Sequence, residues 1–350
     1  MEQAFAEAES VRGKTLPNPA VGAILVRAGK VVGRGATRPA GQAHAEVVAL
    51  KAAGEAARGA TLYVTLEPCC HYGRTPPCTL ALLDAGVIRV VVACGDPNPL
   101  VGGQGIAQLR RAGVAVETGL LAERGEDFYS GFFFWARHGR PRIVLKIAQS
   151  LDGRINEKRG VETAITGEAA RAFAHGLRAR ADAILVGGKT LRCDDPDLTP
   201  REIPGARAPE ILVLTRKAQP DPALRVFAKR RAALTVLVGP RRPRVPEWVG
   251  TEPLPGTKPL AAELLELFRR RGYHEVLVEG GRGAWTPFLQ AGLCDELYLV
   301  TAPRLLPKGE RWDEELGPGW VKPLVFHRFT PLGPDILAEF RRPAPASSRG

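Results

Sequence analysis

His44-Ala45-Glu46, answered by Glu67-Pro68-Cys69 and a further cysteine at 78, is the stretch whose reading decides the first half of this chain. One histidine and two cysteines offer three nitrogen and sulfur ligands to a borderline-soft ion, and a catalytic zinc keeps its fourth tetrahedral position for water. Glu46 lies two residues after the histidine, where the entry from a strand into a helix aims both side chains at one pocket. It is the natural proton carrier for that water, whose pKa the metal lowers to about 7. A structural zinc site closes instead with a fourth protein ligand. The nearby candidates are Cys70 and His71, and Cys70 follows Cys69 directly, a spacing from which two side chains rarely reach one ion. A vicinal Cys69–Cys70 disulfide would be strained as well. The set therefore reads as an open site, with His44, Cys69 and Cys78 as metal ligands and Glu46 as the catalytic group.

At 350 residues the chain is long enough for two ordinary domains, each with its own core. A hydrophobic share of 45% against 25% charged residues describes a soluble globular protein. Nothing approaches a run of about 18 apolar residues, and Glu2, Glu7 and Glu9 occupy the region where a signal peptide is basic and then apolar. The expected location is the cytoplasm, with no membrane partner. Cys69, Cys70 and Cys78 cluster while Cys94, Cys193 and Cys294 stand alone, which is no disulfide framework; the lone three are expected as small buried hydrophobes.

A net charge of +12 raises the question of nucleic acid. Residues 1–140 hold 15 Lys+Arg and 12 Asp+Glu, a balance of +3, and the remainder holds 34 and 25, a balance of +9, so the excess lies away from the zinc motif. Runs such as Lys229-Arg230-Arg231, Arg241-Arg242 and Arg269-Arg270-Arg271 are short and scattered, as on solvated faces. No nucleic-acid partner is expected.

Apolar periodicity in the first 140 residues predicts a hairpin of Val21–Val26 and Val31–Val32 around Ala28-Gly29-Lys30, a helix over 45–57 and strands at 61–66, 88–93 and 114–117. Further helices are predicted at 105–111 and 121–135, and one that begins near Pro76-Pro77 would favour the thiolate of Cys78. Arg137-His138-Gly139-Arg140-Pro141-Arg142 breaks the pattern and divides a domain at 1–140 from a second at 141–342, with a disordered tail at 343–350. In the second half, strands are predicted at 143, 183–186, 211–214, 234–238, 276–278 and 297–300, and helices at 168–178, 260–271 and 284–291. Val186-Gly187-Gly188 and Glu279-Gly280-Gly281-Arg282-Gly283 each follow an apolar strand, so their amides could cradle a phosphate or simply form tight turns. Asp194-Asp195-Pro196 reads as a turn or cap more readily than as a metal site.

With those residues in view, the chain from about 3 to about 342 resembles the bifunctional riboflavin-biosynthesis deaminase/reductase family. In the first half the resemblance rests on Pro17-Asn18-Pro19-Ala20-Val21-Gly22, His44-Ala45-Glu46, Thr65-Leu66-Glu67-Pro68-Cys69, His71, Gly73-Arg74-Thr75-Pro76-Pro77-Cys78 and Asp96-Pro97-Asn98-Pro99. The eight residues between Cys69 and Cys78, where base and nucleoside deaminases usually have two, mark the riboflavin branch of the zinc deaminases. In the second half it rests on the segment 146–154, Asp194-Asp195-Pro196, Leu198-Thr199, Arg201, Val278-Glu279-Gly280-Gly281 and Ala302-Pro303-Arg304-Leu305-Leu306. Departures occur at Glu162 and Ala164, where serine and tryptophan are usual, and at Leu214, where aspartate is common.

The resemblance implies a cytidine-deaminase-like α/β/α sandwich followed by a dihydrofolate-reductase-like α/β domain, with one zinc ion in the first and NADPH in the second. It implies that His44, Cys69 and Cys78 bind zinc, that Glu46 is the proton donor, and that Asn18, His71 and Arg74 meet the first substrate. Ala148, Thr190, Asp194, Thr215 and the segment Gly281, Arg282, Gly283, Ala284, Trp285, Thr286, Pro287 would face the coenzyme, and Arg178, Leu198, Arg201 and Glu279 the second substrate. The implied reactions are hydrolytic removal of the 2-amino group of a diaminopyrimidine ribotide and hydride reduction of its ribosyl chain to ribityl. The implied partners are phosphorylated, pyrimidine-nucleotide-like small molecules and further copies of the chain, as a homodimer or higher homo-oligomer. Three other readings stay open at this point. A tRNA adenosine deaminase would put its basic surface around the zinc half and need no second domain; a reductase could carry a degenerate deaminase; a zinc-stabilised interaction module would bind metal without turnover.

Overall fold

The computed structural model describes the chain except residues 99–100, 159–162, 216–220, 222, 229–232, 239–244, 315, 317–323 and 344–350. Pro99, Glu162, the basic runs at 229–231 and 241–242 and the expected tail beyond Pro343 lie outside the described residues. The chain divides into two compact units, Met1–Arg140 and Pro141–Gly350.

The first unit is built on five strands: β1 (Gly22–Arg27), β2 (Lys30–Ala36), β3 (Thr61–Leu66), β4 (Arg89–Cys94) and β5 (Ala115–Thr118), in the order β2-β1-β3-β4-β5. The hairpin β1–β2 turns at Ala28 and Gly29, both at positive φ (47° and 75°), as a two-residue turn matched to strand twist requires. β3, β4 and β5 run parallel, and the Val-rich β4 is almost wholly buried, the mark of a strand covered on both faces. Helices α1 (Glu2–Ser10), α2 (Ala45–Ala53), α3 (Cys78–Asp84), α4 (Gln104–Arg111), α5 (Ala122–Phe128) and α6 (Ser130–His138) accompany the sheet. Gly35 sets the position of α2: a Cβ there would stand 2.2 Å from the Ala45 carbonyl oxygen, so only glycine lets the start of that helix, and His44 with it, lie against β2.

Two expectations for this unit need correcting, and one helix is added to them. The helix predicted over 45–57 ends at Ala53, because Gly54 takes φ +53° and the chain continues as a short 3₁₀ turn, Gly54–Ala57. The single helix predicted over 121–135 is two, α5 and α6, divided at Tyr129. Its hydroxyl is held in the core 2.6 Å from Thr65 Oγ1 and donates to Ala20 O at 3.0 Å. The helix α1 was not predicted from the periodicity at all.

The second unit carries β6 (Arg142–Ser150), β7 (Ala183–Gly187), β8 (Glu210–Thr215), β9 (Leu234–Val238), β10 (Gly250–Pro253), β11 (Glu275–Glu279), β12 (Glu296–Ala302), β13 (Val325–Leu332) and β14 (Asp335–Arg341) in one sheet, ordered β10-β9-β8-β7-β11-β6-β12-β14-β13. Every adjacent pair from β10 through β12 is parallel, whereas β14 runs antiparallel to β12 and closes that end as a hairpin with β13. Helices α7 (Glu168–Arg180), α8 (Gly188–Asp194), α9 (Arg225–Ala228), α10 (Leu260–Arg271) and α11 (Arg282–Gln290) connect the strands. Every residue of β11 is buried, so the strand carrying Glu279 forms the middle of the sheet. Both glycine clusters do join a strand to a helix, β7 to α8 and β11 to α11. Of the lone cysteines, Cys94 and Cys294 are buried, whereas Cys193 on α8 is only half-buried. No helix among the described residues is long and apolar enough to cross a membrane.

Candidate functional site

His44 stands at the N-cap of α2 with extended backbone, Cys69 follows β3, and Cys78 opens α3 after Pro77. Three chain segments thereby deliver one atom each: His44 Nδ1 lies 3.6 Å from Cys69 Sγ and 3.4 Å from Cys78 Sγ, and the three donor atoms lie within 4.8 Å of one another. Thr75 Oγ1 lies 3.5 Å from His44 Nε2, on the far side of the ring. The Cys78 S–H and the Cys78 backbone N–H, the latter at 3.4 Å, both stabilise the Cys69 thiolate, whose pKa falls to about 4; that same shared proton, and then burial, push the Cys78 thiol up.

Glu46 is 3% exposed, and its Oε2 has no hydrogen-bond partner among the described residues. Burial pushes its carboxyl up to about 7, with the neighbouring Cys69 thiolate adding to the rise. A buried carboxylate oxygen left without a donor, beside a nitrogen and two sulfurs converging on one point, is the environment a soft cation and its water would complete. The residues present therefore fit zinc. Of the first substrate's candidates, Asn18 is half-buried before β1, and His71 and Arg74 lie exposed on the loop between the two cysteines.

In the second unit the coenzyme candidates converge in part. Gly280 and Gly281 turn at φ +80° and +83° against Thr190: a Cβ on Gly281 would sit 2.5 Å from Thr190 Oγ1, and one on Gly280 2.7 Å from Thr190 Cγ2. Gly188 meets Thr215 as closely, at 2.7 Å from its Cβ, so the ends of β7, β8 and β11 form one small-residue cradle at their carboxyl edge. Ala148 lies on β6, two residues beyond Lys146, the register partner of Glu279. Leu214, the departure from the family pattern, pairs with Gly187 at this edge.

The remaining coenzyme candidates are placed differently. Asp194 ends α8. Arg282 is tied to Glu310 at 2.8 Å and to Glu314. Pro287 lies inside α11 and is half-buried, and Gly283 is exposed. Ala284, Trp285 and Thr286 are buried, and Trp285 Nε1 donates to Val278 O at 3.2 Å, so its polar edge is spent on the strand beneath.

Of the substrate candidates, Arg178 on α7 and Glu279 on β11 meet directly. Arg178 donates through Nε and Nη2 to the two oxygens of Glu279, both at 2.7 Å. Leu198 is buried at φ +56°, a conformation that costs a branched side chain energy and marks a constrained segment, and Arg201 is exposed. The charges of Asp197 and Glu202 act on Arg178, and those of Arg178 and Arg201 on His175, so the segment 197–202 faces α7. Lys146, lowered from its ordinary value by burial, completes the charged cluster around Glu279. Lys146 and His175 were not singled out from the sequence; a lysine inside an apolar strand was the available signal for the first. Asp195, in the Asp-Asp-Pro motif, follows α8 at φ +36°, and its carboxylate accepts not locally but thirty residues onward, from Arg225 N at 2.7 Å and Nε at 3.1 Å.

Comparison with known proteins agrees with this division. Residues 1–94 match the cytidine and deoxycytidylate deaminase zinc-binding region, and residues 141–335 match the RibD C-terminal domain. The riboflavin biosynthesis protein RibD of Aquifex aeolicus is 39% identical over 311 residues, covering 88% of this chain and 87% of that one. RibD of Escherichia coli is 38% identical over 356 residues, covering 96% of each. A crystal structure from Thermotoga maritima, described as a diaminohydroxyphosphoribosylaminopyrimidine deaminase/5-amino-6-(5-phosphoribosylamino)uracil reductase, superposes with a TM-score of 0.78 at 32% identity over 98% of this chain and 97% of that one. Likeness of this extent spans both units, so the readings that needed only one of them fall away, and the chain belongs to the RibD family of bifunctional deaminase/reductases of riboflavin biosynthesis.

Proposed function

We propose that the first unit hydrolytically deaminates a diaminopyrimidine ribotide at a zinc held by His44, Cys69 and Cys78, and that the second reduces the deaminated product's ribosyl chain with NADPH. The observation that carries the first half is the convergence of His44 Nδ1 and two sulfurs beside the partnerless Glu46 Oε2. Zinc held by these three residues would supply the Lewis acidity that activates water. Glu46 takes a proton from the attacking water on Oε2 and passes it to the ring nitrogen, then takes the remaining proton from the added hydroxyl and passes it to the departing amine, which leaves as ammonia; a carboxyl raised by burial suits both directions near neutrality. Asn18, His71 and Arg74 orient the substrate over this centre.

In the second unit the cradle of Gly281, Thr190 and Thr215 lets backbone amides approach a phosphate of NADPH, which supplies the hydride. Ala148, Asp194 and residues 282–287 complete the coenzyme face, and Arg178, Leu198, Arg201 and Glu279 that of the substrate. Phosphate on both substrates accounts for part of the cationic excess of this half. The substrates are small molecules, with no nucleic acid or membrane involved; the enzyme works in the cytoplasm as a homodimer or higher homo-oligomer. The test is to give the purified protein the diaminopyrimidine ribotide and follow ammonia release and NADPH oxidation separately. Release of ammonia without later NADPH oxidation, or neither, would refute the corresponding half.

A further inference from the structure

The two cysteines that converge on His44 come from opposite ends of a nine-residue step along the chain, yet both are braced by the same helix, α4. On the side of Cys69, Glu67 is 4% exposed and its carboxylate accepts three backbone N–H groups: Asp96 at 3.3 Å and Gly103 at 3.0 Å on Oε2, and Ile106 at 3.2 Å on Oε1. The last two belong to the first turn of α4 and the residue before it, so Glu67 supplies the acceptor that this helix start lacks in its own sequence, where Gly103 is the N-cap. Next to it the helix lies on the backbone itself: a Cβ on Gly105 would stand 2.1 Å from Pro68 O, the carbonyl immediately before Cys69. On the side of Cys78, the next residue, Thr79, is fully buried and donates through Oγ1 to Gln108 Oε1 on α4 at 2.8 Å, while its N–H donates to Cys69 O at 3.2 Å.

We infer that α4 is a splint for the metal centre, with Glu67 and Gln108 as positioning residues that fix the separation of the Cys69 and Cys78 sulfurs. Neither touches the ion or the substrate; each acts through the cysteine beside its partner. The inference rests on the assignment of His44, Cys69 and Cys78 as zinc ligands. Groups that orient ligands in this way typically govern metal retention by about 10- to 100-fold. Glu67→Gln keeps the shape but turns an amide N–H toward backbone donors. Gln108→Ala removes the acceptor from Thr79, and Gln108→Glu restores one.

The experiment follows zinc release from the holoenzyme to a chromogenic chelator, with the d–d absorption of the cobalt(II)-substituted protein as a record of ligand geometry. Glu67→Gln and Gln108→Ala are expected to release zinc about tenfold faster or more and to shift the cobalt bands, and Gln108→Glu to behave as the parent. Because Gln108 is only half-buried, its variants carry the test if Glu67→Gln does not fold. A lower melting temperature with parental release rates and parental cobalt bands would make α4 a purely structural helix and overturn the inference. A parent that binds no zinc would overturn the ligand assignment itself.

Discussion

Replacing Glu279 by glutamine leaves two cations, Arg178 of α7 and Lys146 of β6, without their counter-charge beside the middle strand of the second sheet. Arg178 and Glu279 form a bidentate pair with side-chain exposures of 14% and 10%, and Lys146, the register partner of Glu279 on the adjoining strand, adds a second positive charge. Removing one member of such a pair costs about 3 to 5 kcal/mol, because the surviving charge stays desolvated without compensation. With Lys146 also unneutralised, the upper part of that range is expected, and adding Lys146→Met to Glu279→Gln should recover part of the loss.

The pH dependence has a definite sign. Burial opposes ionisation of Glu279, but the charge and hydrogen bonds of Arg178 outweigh it, so the folded pKa lies below the ordinary 4.5. The pair's stabilisation is therefore fully present above about pH 4.5, the unfolded value, and disappears as pH falls through the depressed folded value. Urea unfolding followed by tryptophan fluorescence measures this, since four of the five tryptophans lie beyond residue 140. A loss below about 1 kcal/mol at pH 7, or a loss that grows on acidification, would refute the reasoning.

Glu46→Gln should keep its zinc while ammonia release falls by about 100- to 10,000-fold; metal analysis and an ammonia assay check it, and zinc lost from the variant would make Glu46 a ligand or a structural prop. Gly281→Val places a branched side chain at φ +83° and against Thr190 Oγ1, so NADPH affinity, read by coenzyme fluorescence, should fall at least about tenfold with deamination unchanged. Cys78→Ser should lose zinc and deamination, since a hydroxyl is a poor zinc ligand, yet oxidise NADPH at nearly the parental rate when given the deaminated intermediate. Loss of both activities in that folded variant would mean that the two reactions share one site.

What could be read from the sequence was what short stretches decide for themselves. The runs at 61–66, 234–238 and 260–271 are as predicted, because β-branched or amphipathic patterns of that length leave one good way to bury their apolar side. The convergence of His44, Cys69 and Cys78 was legible because their chemistry is carried by residue type. Tyr129 was not: its side chain is spent on Thr65 and Ala20, more than sixty residues away, and that tie interrupts a helix that periodicity alone would continue. The hairpin of β13 and β14 was missed because most of β13 is exposed and shows no alternation of apolar and polar residues. Glu67 appeared only as part of a motif, for its three donors come from a segment some thirty to forty residues onward.

The placement of β11 between β6 and β7 bears on how the chain is made. The strands that flank it are complete by residue 187, but the strand that joins them ends at residue 279. While ribosomes translate the intervening stretch, β6 and the open edge of β7 present unpaired backbone and apolar faces, the condition under which parallel sheets are slow to form and prone to mispair. The first unit has no such wait, since all five of its strands have emerged by residue 118. Metal capture can thus precede completion of the reductase during synthesis, and a chain released between residues 187 and 275 would pair a finished zinc domain with an aggregation-prone half-sheet.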